Sequence, residues 1–233
     1  MIHEPVPKKS NYVFKRYKYI TNQKRTSLVK YLFGLFAILS ALAPIIGIYT
    51  LAKLSVAVHE RTDEAKQAFL TVAAKYDIVS GIASIIYLIC AIIFLFWIYR
   101  ASSNTHALNE KTKIEYSPGW CVGSYFIPLL NLYWPYKAMK ELWQLNVIQA
   151  NVRRSASIVF FWWITYLLLN FTATIVSKLS VNDYSSFYLY ILVDTASNVF
   201  GLISALLAIK IVNNINTAQV KKHESVKAEE NAT

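Results

Sequence analysis

The chain has 233 residues, 55% of them hydrophobic and only 16% charged, against roughly 25% charged in an average soluble domain. Its 24 Lys and Arg outnumber its 13 Asp and Glu, for a formal net charge of +11. With four long apolar runs, this composition excludes an ordinary soluble enzyme and a disordered chain; the basic excess points to inward-facing loops and anionic lipid, not nucleic acid.

Residues 1–28 read as a basic cytoplasmic N-terminal tail. Tyr12, Phe14, Tyr17 and Tyr19 alternate there with Lys15, Arg16 and Lys18, a pattern suited to an interfacial anchor. Neither an early apolar core nor a small-residue cleavage site marks a signal peptide, so the first span reads as the insertion signal. The membrane domain then covers 29–211. Its spans are Val29–Ala52, Ile78–Tyr99, Ala156–Val176 and Phe187–Ile209, each long enough for ~30 Å of hydrocarbon. Pro44 and Gly47 predict a kink late in the first. Between the first two spans, Ala65, Ala68, Phe69, Val72, Ala73 and Tyr76 recur at helical spacing behind Thr62 and Asp63, which predicts a short outer helix.

A fifth apolar stretch, Ser117–Tyr136, reads SPGWCVGSYFIPLLNLYWPY. Ser117 and Pro118 make a helix start, but Pro128 and Pro135 each remove a backbone hydrogen bond, and Asn131 adds a polar group between them. Arg100, Lys111 and Lys113 precede the stretch; Lys137, Lys140, Arg153 and Arg154 follow it. A crossing would put one basic flank outside, whereas a re-entrant or interfacial segment keeps both inside. The expected fold is therefore an all-α integral membrane protein, with four transmembrane helices, a proline-broken re-entrant segment at 117–136, and both termini inside. Met139, Leu142, Trp143 and Val147 mark one face of an amphipathic interfacial helix over 137–150. Residues 212–233 form a cytoplasmic tail that reads as disordered.

Soluble-enzyme motifs are absent: the sequence has no P-loop, HExxH, GxSxG or dinucleotide glycine fingerprint. Cys90 and Cys121 lie in apolar segments and read as buried thiols, with no metal or disulfide framework. His3, His59, His106 and His223 read as solvated. The six tryptophans Trp97, Trp120, Trp134, Trp143, Trp162 and Trp163 read as interface anchors. No cofactor is implied.

Asp194 is the carboxylate inside a span, where a charge needs a partner or water. Ser197, Gly201, Ala205 and Ala208 continue its helix face, so it points into the bundle, and Asn170 lies at matching depth on the antiparallel neighbour. An ion or proton site and an acid that fixes helix register both fit; register is preferred, because one acid is thin evidence for a pathway. Gly119 and Gly123 form GxxxG, read as close packing within the chain in preference to a dimer face.

From Trp97 the sequence runs W-I-Y-R-A-S-S-N, followed by S-P-G-W, F-I-P, N-L and P-Y, then a basic helix ending in E-L-W. These positions, among them Trp97, Arg100, Asn104, Ser117, Pro118, Gly119, Trp120, Gly123, Pro128, Asn131 and Pro135, resemble the bacterial multi-spanning membrane proteins of the domain-of-unknown-function 4328 family. Cys121 departs mildly, standing where a small residue is expected. The resemblance implies a bacterial cytoplasmic (inner) membrane location and no activity. Physically, Arg100 can reach lipid phosphate or donate to carbonyls freed by Pro128 and Pro135; the second role is preferred, with Asn104 and Asn131 as further donors. The expected function is non-enzymatic: an anchor, sensor or assembly partner working through a basic cytoplasmic face on anionic lipids, with a homo-oligomer or another protein as partner. The rival is a small oligomeric channel or transporter, or a membrane-perturbing effector such as one in phage defence, built on the broken segment and Asp194.

Overall fold

The structure is a computed structural model that describes residues 17–110, 112–150, 155–179 and 184–232. Among these the chain is helical, with no strand. Helix α1 is Gln23–Glu60, α2 Asp63–Leu108, α3 Pro118–Gly123, α4 Trp134–Trp143, α5 Ser157–Val176 and α6 Tyr184–Ala232. Four of them, α1, α2, α5 and α6, are long and apolar enough to cross a membrane.

Local chemistry sets the ends of these helices. At Arg61 the backbone turns left-handed, with φ 55°, and its N–H closes on the Ala57 carbonyl at 3.2 Å. Thr62 then caps α2 by accepting the Ala65 N–H at 3.2 Å, and Asp63 and Glu64 sit in the positively polarised first turn. The expected outer helix is thus the first part of α2, continuous with the second span. Helix α1 likewise continues through Pro44; such a proline is tolerated where neighbouring helices cover the freed carbonyl. Helix α6 runs on to Ala232 instead of giving way to a disordered tail at 212. The physical reason is burial: Val212, Ile215, Asn216 and Gln219 continue the packed face for two more turns.

Helix α1 packs between α2 and α6, and α5 packs on α6. One end of the bundle holds the α1–α2 hairpin, where Phe69 meets Phe187 edge-on at 5.3 Å. The other, called here the tail end, gathers residues 17–22, the end of α2, the α3–α4 segment and the end of α6. The larger hydrophobic core lies toward the tail end, around Trp97, Ile98, Met139, Leu142, Trp162 and Ile215. The apolar face of α4 is therefore turned into the protein's own core, not outward to lipid. Four tryptophans expected as interface anchors, Trp97, Trp143, Trp162 and Trp163, are buried there as well, and only Trp120 is exposed.

Candidate functional site

Two polar constellations stand out, one at the tail end and one in the hairpin half of the bundle. The first grows from the end of α2. Trp97 is fully buried; its indole Nε1 donates to Thr26 Oγ1 at 3.0 Å, and its carbonyl accepts from Asn22 Nδ2 at 3.3 Å. Two turns on, Asn104 accepts the Ile20 N–H at 3.1 Å and donates to the Ile20 carbonyl at 2.9 Å. One side chain thus completes both backbone groups of the segment entering α1. Asn104 is not a donor to the proline-broken backbone, as its spacing suggested.

Next to it, Thr105 Oγ1 accepts from Asn146 Nδ2 at 2.9 Å and from Gln219 Nε2 at 3.0 Å. Gln219 also donates to the Ala101 carbonyl at 2.8 Å. Lys222 reaches Asn109 Oδ1 at 2.5 Å, and burial pushes its ammonium pKa down. Helices α2 and α6 and the π-helical turn Gln144–Ile148 that follows α4 are thereby joined through buried polar side chains. Two histidines expected in solvent also take part. His106 Nε2 meets the Tyr116 carbonyl at 3.1 Å with Tyr17 beside its ring, and His223 stacks on Tyr19 at 3.9 Å. Tyr17 and Tyr19 therefore hold the N-terminal segment to the tail end; Tyr12, Phe14 and His3 lie outside the described residues.

The broken segment folds back on itself. Ser117 Oγ accepts the Trp120 N–H at 3.4 Å and Pro118 begins α3. After α3 the chain makes a 3-10 turn over Ser124–Phe126, a tight turn at Pro128, and a second 3-10 turn over Leu130–Leu132 that includes Asn131. Leu129 carries the strain of the reversal, with φ 67°, and the Leu130 N–H closes on the Pro128 carbonyl at 2.8 Å. Pro135 then opens α4. The Trp134 ring lies 5.3 Å from Trp120 and 6.3 Å from Tyr116, so the segment leaves where it began. Glu141 locks that closure by accepting the Glu115 N–H at 2.7 Å and the Tyr116 N–H at 3.1 Å. Burial, with Glu115 and Glu141 adding, pushes the Tyr116 hydroxyl up to about 12.

Two expectations about this segment change. The Leu132 carbonyl takes its donor from Trp163 Nε1 at 2.9 Å, while Arg100 Nε is buried without a hydrogen-bond partner among the described residues. And the GxxxG pair is open: a Cβ on Gly123 would meet nothing within 4 Å, and one on Gly119 only Ser117 Oγ at 4.0 Å. Close packing occurs instead at Gly201, where a Cβ would lie 3.1 Å from the Phe36 ring, and at Gly47.

The second constellation surrounds Asp194. Its partner is not Asn170. Tyr76 on α2 donates its hydroxyl to Asp194 Oδ2, and Asn198 Nδ2 donates to the same oxygen at 3.0 Å. Asn170 Oδ1 accepts from Tyr87 at 3.1 Å, and its Nδ2 donates to the Tyr166 carbonyl at 2.7 Å. Sequence depth did bring the two to one place: Asp194 and Asn170 both line a cavity of about 260 Å³, with Ser80, Ser84, Tyr87, Ser197 and Asn198. Tyr76 was legible only as a residue of the outer helix, whereas Asn198, mid-span and four residues from Asp194, carried an i,i+4 spacing that could have marked it. A second, aromatic cavity lies across the wall formed by Phe36, Tyr87 and Leu169.

A family model, Domain of unknown function (DUF4328), matches residues 60–217, well over half of the chain. The chain belongs to this family. No curated protein and no solved structure matches it. The DUF4328 stretch begins at the last residue of α1 and ends within α6, so it contains the α3–α4 segment and, apart from Phe36, the described residues that line the Asp194 cavity. Most of α1, which packs on both α2 and α6, precedes it.

Proposed function

We propose that this DUF4328 protein is a non-enzymatic protein of the bacterial cytoplasmic membrane that acts as an anchor, sensor or assembly partner through a basic inner face. In this reading the tail end is cytoplasmic, Ser117–Tyr136 is re-entrant, and Lys53–Asp77 lies outside. The observation that carries it is the buried Thr105–Asn146–Gln219 network. It ties together the elements that flank the excess lysines and arginines, so those charges sit on a rigid platform and not on loose tails. Lys24, Arg25, Lys30, Lys137, Lys140, Lys210 and Lys221 border that end, and such a cluster attracts anionic headgroups. Arg100, whose Nε has no hydrogen-bond partner among the described residues, fits contact with lipid phosphate better than donation to the proline-broken backbone. The touching rings of Trp120 and Trp134, with Phe126 and Leu129 exposed at the far tip, support a segment that dips into lipid and returns.

Native mass spectrometry of the full chain, with cysteine labelling on intact cells, tests the proposal. Anionic lipid should remain bound to the wild type and be lost when Lys24, Arg25, Lys30 and Lys210 are neutralised together. Cysteines at Lys113 and Lys137 should be shielded from outside reagents and one at Lys66 should react. Outside labelling at Lys113 or Lys137 rejects the threading; equal lipid retention in the neutralised variant rejects the anionic-lipid face.

A further inference from the structure

The carboxylate of Asp194 has neutral partners only. Tyr76 and Asn198 both donate to Oδ2, and among the described residues no Lys, Arg or His lines the cavity. Asp194 Oδ1 has no hydrogen-bond partner among the described residues. Neither has Asn198 Oδ1; the same amide turns its Nδ2 to Asp194, donating to the carboxylate and to the main-chain carbonyl at 2.8 Å. Two oxygens outside these hydrogen bonds, one formally charged, thus belong to residues lining one cavity whose wall is mostly apolar. A carboxylate there must be neutralised by a proton or a counter-cation.

We propose that this cavity binds one monovalent alkali cation at Asp194, in competition with a proton. Charge selects the class. The one carboxylate that lines the cavity among the described residues balances a single positive charge, and a divalent ion would leave the site with a net charge in the interior. Oxygen chemistry selects it too: Asp194, Asn198, Asn170 and the serines 80, 84 and 197 offer hard ligands, with no sulfur or imidazole among them. Size permits it, since about 260 Å³ holds an ion with several waters at ~30 Å³ each. The titratable groups facing Asp194 or its cavity are Tyr76, Asp77 and Tyr87 on α2 and Tyr190 on α6. The lining parts of α1 and α5 contribute none among the described residues. Because a proton and the ion occupy the same oxygens, acid must displace the ion. The site is one of equilibrium binding and does not depend on the anchoring role or on lipid at the tail end.

The test is saturable binding of radioactive sodium to the full-length protein in nanodiscs, with choline replacing sodium at constant ionic strength and potassium as competitor. The wild type should bind one ion per chain, with half-saturation rising as pH falls, and Asp194→Asn should lose binding while Gly123→Ala keeps it. Should Asp194→Asn not fold, Asn198→Ala decides: it keeps the carboxylate but removes one oxygen, and should raise half-saturation severalfold. Absence of saturable sodium and potassium binding by the wild type overturns the proposal. So does binding unaffected by acid, by a folded Asp194→Asn, or by Asn198→Ala.

Discussion

The Trp163 indole donates to the main-chain carbonyl of Leu132 at 2.9 Å, from two turns inside α5 to the returning limb of the broken segment. A carbonyl that regular helix geometry leaves unpaired is thereby satisfied by a side chain from another helix, as backbone at membrane depth requires. Trp163→Phe keeps most of the packing against Tyr125 and Tyr166 but orphans that carbonyl. The expected cost is about 1–3 kcal/mol, seen as a lower melting temperature in detergent. Arg100→Met, which removes an unpaired buried donor, should cost less. The reverse order would return Arg100 to the role its position in the motif suggested.

Asn104 serves both backbone groups of Ile20. Asn104→Leu should therefore free residues 17–22 from α2, so that trypsin cuts at Lys18 or Lys24 faster than in the wild type. Unchanged cleavage would mean that the ring contacts of Tyr17 and Tyr19 with the two histidines, with Asn22 on the Trp97 carbonyl, hold the segment without Asn104.

Thr105, Asn146 and Gln219 share one hydroxyl as their meeting point. Gln219→Leu and Thr105→Val should each lower stability, and the double variant should lose less than their sum. A coupling of about 0.5–3 kcal/mol is expected for contacting residues. Strict additivity in a denaturation cycle would contradict the shared hydrogen bonds.

The glycines separate by environment and not by motif. Gly201→Leu drives a side chain into the Phe36 ring and Ser40 and should destabilise by about 1–3 kcal/mol. Gly123→Ala meets open space and should be neutral or gain about 0.5–1 kcal/mol from helix propensity. If Gly123→Ala instead dissociates an oligomer, the GxxxG pair is a contact between chains.

Burial pushes the Tyr116 hydroxyl up to about 12, above the ordinary value of 10.0. A tyrosine with a raised folded pKa contributes stability below its unfolded pKa and loses it as pH rises through the folded one. Wild type should therefore lose stability relative to Tyr116→Phe as pH climbs from 10.0 toward about 12. Parallel stability curves for the two proteins across that window would show that the hydroxyl does not couple to folding.

Hydropathy and charge along the sequence determined the four long apolar helices and the interruption at Pro128 and Pro135, because burial in lipid and the missing proline N–H act locally. The motif likewise determined the family. Tertiary structure alone decided which polar side chains meet. Asn170 and Asp194 matched in depth, yet helix rotation gave Asp194 to Tyr76, beside its own-helix neighbour Asn198 one turn on, and gave Asn170 to Tyr87. Asn104 looked like a donor to freed carbonyls, and the fold set the Ile20 backbone against it instead. Gln219 lay in a stretch read as a disordered tail, and only packing against α2 made it part of the core. A side chain's partner depends on the azimuth and offset of whole helices, which no spacing along one helix encodes.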